Sequence, residues 1–199
     1  MEYRKIVNFF FELGMLKKTP RSGFQFLGSG RESVADHSFR VAMIGFTLAR
    51  LAGNVDPFKV VCLALFHDVP EARTGDMNYV NKRYVTVDEG GAVDDLAEAL
   101  PFGDELKELL AEYRDRETEE SRLAHDADQL DLILELKEQN DLGNVYATKW
   151  IHFAMQRLTT PIGKKVAEEA ARTDSTDWWF KGHDDWWGKH KGNDPSGSR

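Results

Sequence analysis

Long apolar runs are missing from this chain. No stretch approaches the ~20 apolar residues that span a bilayer, so no membrane-spanning helix is expected. Cysteine is nearly missing too. The single Cys62 cannot close an internal disulfide, which fits a reducing cytoplasm, and it is expected as a small buried apolar residue. A basic excess is lacking: Lys and Arg number 26 against 34 Asp and Glu, for a formal net charge of −8. That balance excludes broad binding to nucleic acid or anionic lipid, which needs a basic face. It leaves room for a small phosphorylated substrate, because a metal ion and one or two arginines reverse the potential locally. The opening Met-Glu-Tyr-Arg-Lys leads into an amphipathic pattern and does not read as a signal peptide. Strand signals are sparse, and neither an internal repeat nor a second domain is evident.

What is present is helical periodicity in a chain of ordinary composition, 41% hydrophobic and 30% charged. Residues 2–16 carry apolar side chains on most sides, which predicts a largely buried helix. A loop with Gly28 and Gly30 follows. Ser33, with Asp36 three residues on, reads as a capping box for a helix whose apolar stripe is Val34, Val41, Ile44, Leu48 and Leu51. Asp56-Pro57 opens the next helix, and Val60 to Phe66 is apolar enough to be buried all round. Residues 77–90 look irregular. Helices are expected after them around Val93–Leu100, from Leu106 to Tyr113, from Thr118 through Leu136, over 145–158 with Val145, Ile151, Met155 and Leu158 on one stripe, and over 161–171. The fold class is therefore all-α, a single-domain helical bundle over residues 1–172. Residues 173–199 form an aromatic-rich tail, with Trp178, Trp179, Trp186 and Trp187 suited to packing or an oligomer contact and 193–199 expected to be disordered.

The chemistry is concentrated in residues 63–76, an apolar helix that runs into His67, Asp68, Glu71, Arg73 and Asp76. Adjacent His67 and Asp68 point about 100° apart on a helix, yet both reach an ion lying off its end. Glu71 shares their face, and the helix is expected to end near Val69, before Pro70. A neutral imidazole beside a carboxylate suits a divalent Mn, Fe, Co, Ni or Zn. Two ligands are too few, and His37 and Asp128, each near the start of an apolar helix, are the candidates to complete the set. Asp128 interrupts an apolar face, and a buried carboxylate needs a metal or a salt-bridge partner. Asp126 reads as a solvent-facing or capping residue and His152 as structural or superficial, while His125 is an ordinary helix residue unless it stands behind a metal ligand or contacts phosphate. Arg21 is either a solvated loop arginine or a phosphate clamp, since guanidinium pairs with phosphate oxygens.

His37, then His67-Asp68, then Asp128 resembles the H…HD…D signature of the HD-domain metal-dependent phosphohydrolases. Glu-Ser-Val-Ala-Asp-His (32–37), His-Asp-Val-Pro-Glu-Ala-Arg-Thr-Gly-Asp (67–76) and Asp-Gln-Leu-Asp (128–131) resemble the 5′-deoxynucleotidases of that superfamily, in order and spacing over roughly residues 1–158. The resemblance implies an HD-type bundle and a homodimer. It implies hydrolysis of deoxyribonucleoside 5′-monophosphates to deoxynucleoside and phosphate. His37, His67, Asp68 and Asp128 would hold one divalent ion (Co, Mn, Zn, Ni, Fe or Mg), Glu71 would orient or deprotonate the attacking water, Arg21 would neutralise the phosphate and Asp76 would bind the sugar 3′-hydroxyl. Where the family usually carries a sugar-packing Trp, this chain has Phe24. Rival expectations are a nucleotide triphosphohydrolase or cyclic-nucleotide phosphodiesterase on the same scaffold, and a non-catalytic nucleotide- or metal-binding module.

Overall fold

The computed structural model describes residues 3–182, and those residues build an all-helical bundle. The helices are α1 (Tyr3–Leu13), α2 (Phe24–Leu27), α3 (Val34–Ala52), α4 (Pro57–Phe66), α5 (Glu71–Thr74), α6 (Asn81–Tyr84), α7 (Glu89–Glu98), α8 (Gly103–Asp115), α9 (Glu119–Asp141), α10 (Val145–Met155), α11 (Pro161–Arg172) and α12 (Asp177–Phe180). Among the described residues the only extended pairing is one isolated antiparallel bridge, Pro20 with Ser33. Backbone bonds on either side of it, Arg21 N–H to Glu32 and Val34 N–H to Thr19, close the loop between α1 and α3. That closure holds Arg21 and Ser22 beside the first turns of α3.

Local chemistry sets the helix starts. Ser33 and Asp36 form the reciprocal capping box, and Asp56 accepts from the N–H of Phe58 with Pro57 in the first turn. Thr118, Asn144 and Thr160 cap α9, α10 and α11 with their own side chains. The central helix is α9. Its Leu123, Ala124, Ala127, Leu130 and Ile133 pack with Val41 and Leu48 of α3 and Val60 and Leu63 of α4. A second cluster, containing Phe9, Val34, Val69, Leu96 and Leu106, ties α1, α7 and α8 to the residues around the end of α4.

Tertiary packing overrode several sequence expectations. The helix α1 is not largely buried: Phe9 alone is covered, and Phe10 and Phe11 face outward. Leu51 and Val145 lie outside the core, α4 exposes Phe58 and Leu65, and Cys62 is half-buried. In each case the apolar residue is real but the neighbouring layer does not extend over it. The helix bearing His67 stops at Phe66, before the expected Val69, with His67 as its C-cap and a turn over 67–70 leading into α5. Asp126 does not face solvent. It is fully buried, where it holds the two residues before α11 by accepting from the backbone and hydroxyl groups of both Thr159 and Thr160. Of the tail, Trp178 is exposed, while Trp186, Trp187 and 193–199 lie outside the described residues.

Candidate metal centre and substrate cavity

Two buried imidazoles define the site. His67, at the end of α4, donates from Nδ1 to the carbonyl of Ala64 at 2.8 Å. His37, one turn into α3 and fully buried, donates from Nδ1 to Asp131 Oδ2 at 2.6 Å. Both protons are assigned from these bonds. Each ring therefore turns its Nε2 inward, and neither Nε2 has a hydrogen-bond partner. A buried polar atom left unpaired is destabilising, so two facing one another fit a cation held between them.

The carboxylates stand where such a cation needs them. Asp68 Oδ2 lies 3.2 Å from His67 Nε2 and 3.6 Å from His37 Nε2, and Asp128 Oδ1 lies 3.3 Å from His37 Nε2. Ligands bound at 2.0–2.2 Å sit about 3 Å apart when adjacent, so these spacings fit a divalent ion. The other oxygen of Asp128 is committed, accepting from Tyr113 Oη at 3.2 Å and from the Gln129 amide at 2.8 Å. Asp131 is itself buried and gripped by Arg40, whose guanidinium also bonds Glu135 and Glu138. A carboxylate behind a histidine fixes its tautomer and raises its basicity as a ligand.

The electrostatics show how strongly these groups are coupled. Burial and Arg21 push the His37 imidazole down, but Asp128 and Asp131 overcome them and carry it up to about 10. Burial alone would raise Asp128, yet His37, His67 and Arg21 hold it far below the usual carboxylate range. Asp68 is lowered in the same way, burial being outweighed by His67, His37 and Arg21. Glu71 goes the other way: burial, then Asp68 and Asp76, push its carboxyl well up. Its Oε2 is buried without a partner. Burial works against the charge of Arg21, but Asp68, Asp128, Asp76 and Glu71 more than restore it.

A cavity of about 530 Å³ opens over this cluster, within the range of small-molecule sites. Arg21 reaches into it and donates to Asp68 Oδ2 at 3.3 Å. Its neighbour Ser22 holds Asp76, donating to Oδ2 from the backbone at 2.6 Å and from the hydroxyl at 3.0 Å. Gly75 turns Asp76 toward this contact with φ 71° and ψ 160°, a conformation that glycine alone enters cheaply. Phe24 lines the cavity and packs against the cluster of Leu27, Leu136 and Ala147. His125 also lines it, with Nδ1 buried, unpartnered and 3.8 Å from Asp126. His152 is superficial, against Gln156 and Phe153.

The four candidate ligands thus meet Glu71, Arg21, Phe24 and Asp76 at one place, although Glu71 arrives on its own short helix and not on the face of α4. Sequence reasoning passed over Asp131, Ser22, Tyr113 and Trp150. The signal for Asp131 was in plain view, a second carboxylate one turn after Asp128 on an apolar helix. For Tyr113 and Trp150 no local signal existed, since an aromatic at helical spacing reads as core.

The family profile described as HD domain matches residues 13–170. The human 5′-deoxynucleotidase HDDC2 is 32% identical over 145 residues, covering 70% of each chain. Among solved structures, a conserved hypothetical protein of Pyrococcus furiosus superposes with a TM-score of 0.70 at 29% identity, covering 84% of this chain and 99% of that one. A predicted metal-dependent phosphohydrolase of Magnetospirillum magnetotacticum gives a TM-score of 0.66 at 25% identity, with 85% and 93% covered. With the H…HD…D side chains gathered in one buried cluster and the HD profile running through nearly the whole bundle, this chain belongs to the HD-domain superfamily and, within it, to the 5′-deoxynucleotidase family.

Proposed function

We propose that the protein hydrolyses deoxyribonucleoside 5′-monophosphates to deoxynucleoside and phosphate with the help of one divalent ion. The observation that carries this reading is the pair of orphaned, inward-facing Nε2 atoms of His37 and His67 between Asp68 and Asp128. These four side chains would hold the ion, and among Co, Mn, Zn, Ni, Fe and Mg their mixed N/O donors favour a transition metal. When bound, it supplies Lewis-acid polarisation of a phosphoryl oxygen and a lowered pKa for water. Arg21 neutralises phosphate charge from the loop. Glu71 takes the proton of the attacking water on its unpartnered oxygen. Asp76, with Oδ2 engaged by Ser22, offers its other oxygen to the sugar 3′-hydroxyl. Phe24 walls the sugar.

The test is phosphate release from matched deoxy and ribo 5′-monophosphates by chelator-stripped protein resupplied with Co, Mn, Mg or Zn. Metal-dependent release from the deoxy set alone is expected. Equal release from ribonucleotides overturns the sugar assignment. Release only from triphosphates or cyclic nucleotides, or none with any metal, overturns the proposal.

The working unit we propose is a homodimer of a cytoplasmic protein in which residues 1–172 form the catalytic domain. No helix among the described residues is long and apolar enough to cross a membrane. Phe39, Met43 and Phe46 leave an exposed apolar stripe along α3 that a second copy would cover. Sedimentation at twice the chain's 22.7 kDa is expected, and a monomer at assay concentration removes the dimer.

A further inference from the structure

The loop that carries Arg21 measures out the cavity one residue at a time. Arg21 meets Asp68 in the ligand cluster, and Ser22 holds Asp76. Gly23 lies against the indole of Trp150, so closely that a Cβ there would come within 3.1 Å of the ring edge. Gly23 lies two residues after Arg21 in the turn that opens α2, so this turn carries the cavity wall from the ligand cluster to Trp150. Trp150 comes from α10, which carries no residue of the H…HD…D signature. It is only partly buried and lines the cavity.

Its neighbours hold it as a platform. Tyr79 stands 6.4 Å away at 56°, and Phe26 packs edge-on at 6.4 Å. The guanidinium of Arg157 lies over the ring of Tyr79, 5.3 Å from its centroid, and donates to Gln129. Gln129 in turn bonds Asp128, so the aromatic end of the cavity is braced to the ligand end.

We propose that Trp150, flanked by Tyr79 and seated on Gly23, is the surface on which the purine or pyrimidine ring of the substrate stacks. This rests on the nucleotidase reading above and adds the base subsite to it. Stacking uses the π-face that every base has, so the subsite binds all four bases and reads none of their edges.

The experiment compares wild type, Trp150→Leu and Trp150→Phe, all metal-loaded, on the four deoxynucleoside 5′-monophosphates and on deoxyribose 5-phosphate, which lacks a base. Trp150→Leu keeps apolar bulk and removes the ring. It is expected to raise KM for every nucleotide about tenfold or more with kcat held, and to leave deoxyribose 5-phosphate unchanged. Trp150→Phe is expected to stay near wild type. In a metal-loaded Glu71→Gln background, deoxynucleotides are expected to quench Trp emission, and Trp150→Phe to abolish that quench although the other tryptophans remain. An equal loss on deoxyribose 5-phosphate makes Trp150 a structural or sugar-facing residue and overturns the base assignment, as does an unchanged KM in Trp150→Leu. Failure of the nucleotidase reading is a separate result, because wild type itself would then release no phosphate from any 5′-monophosphate.

Discussion

Glu71→Gln is expected to lower kcat by about 10²–10⁴-fold, the usual contribution of a positioned acid–base group, with metal still bound at wild-type stoichiometry. Glu71 lies in the cavity beside the ligand cluster, and no ligand side chain leans on it for a hydrogen bond. Its carboxyl is pushed up by burial and by the charges of Asp68 and Asp76. A bound divalent ion adds positive charge to that environment and moves it back toward the ionised form that accepts a proton. Glutamine keeps the shape and loses the basicity. Thermal stability of the metal-free protein should hold or rise, because the substitution removes a carboxylate crowded by two others. Single-turnover kinetics with metal analysis of the same sample decides the matter. Turnover within a few-fold of wild type takes Glu71 out of the mechanism, and a variant that has lost its metal makes it a structural group.

His37→Ala is expected to bring metal occupancy and activity to background together, since it removes one of the four proposed donors, and one that is fully buried. The supporting prediction is Asp131→Asn, which should weaken metal binding about 10–100-fold while the fold persists. An amide presents N–H to His37 Nδ1 and so favours the tautomer whose proton sits on Nε2, where the ion must bind. The pH dependence follows from the same geometry. In the metal-free site His37 holds its proton up to about pH 10, above its unfolded value. Ions entering at neutral pH therefore displace that proton, and affinity should fall as pH falls, by up to about tenfold per unit per proton released. The metal-free protein carries the opposite dependence. The stability its protonated His37 contributes is fully present below about pH 6.5 and is lost as pH rises through about 10. Calorimetric metal titrations in buffers of different ionisation enthalpy report the proton release directly. A metal affinity flat from pH 6 to 8, or unaltered by Asp131→Asn, would contradict the assignment of His37 as a ligand held by Asp131.

The sequence by itself determined what short-range chemistry controls. Helix starts at Ser33, Asp56 and Thr118 were legible because a capping side chain and its N–H partner are two or three residues apart. The proposed ligands His67 and Asp68 were legible because they are neighbours, and His37 and Asp128 because each puts a polar group on an apolar helix where it needs a partner. Tertiary structure alone decided which residues serve those ligands. Asp131 lies 94 positions from the His37 ring it orients, Ser22 lies 54 from the Asp76 it holds, and Gly23 is as remote from Trp150 in sequence as it is close in space. It also decided which apolar faces are covered. The side chains of α1 and the outer stripe of α3 have the composition of a core, but burial is a property of the neighbouring layer, and periodicity in one helix carries no record of where that layer ends.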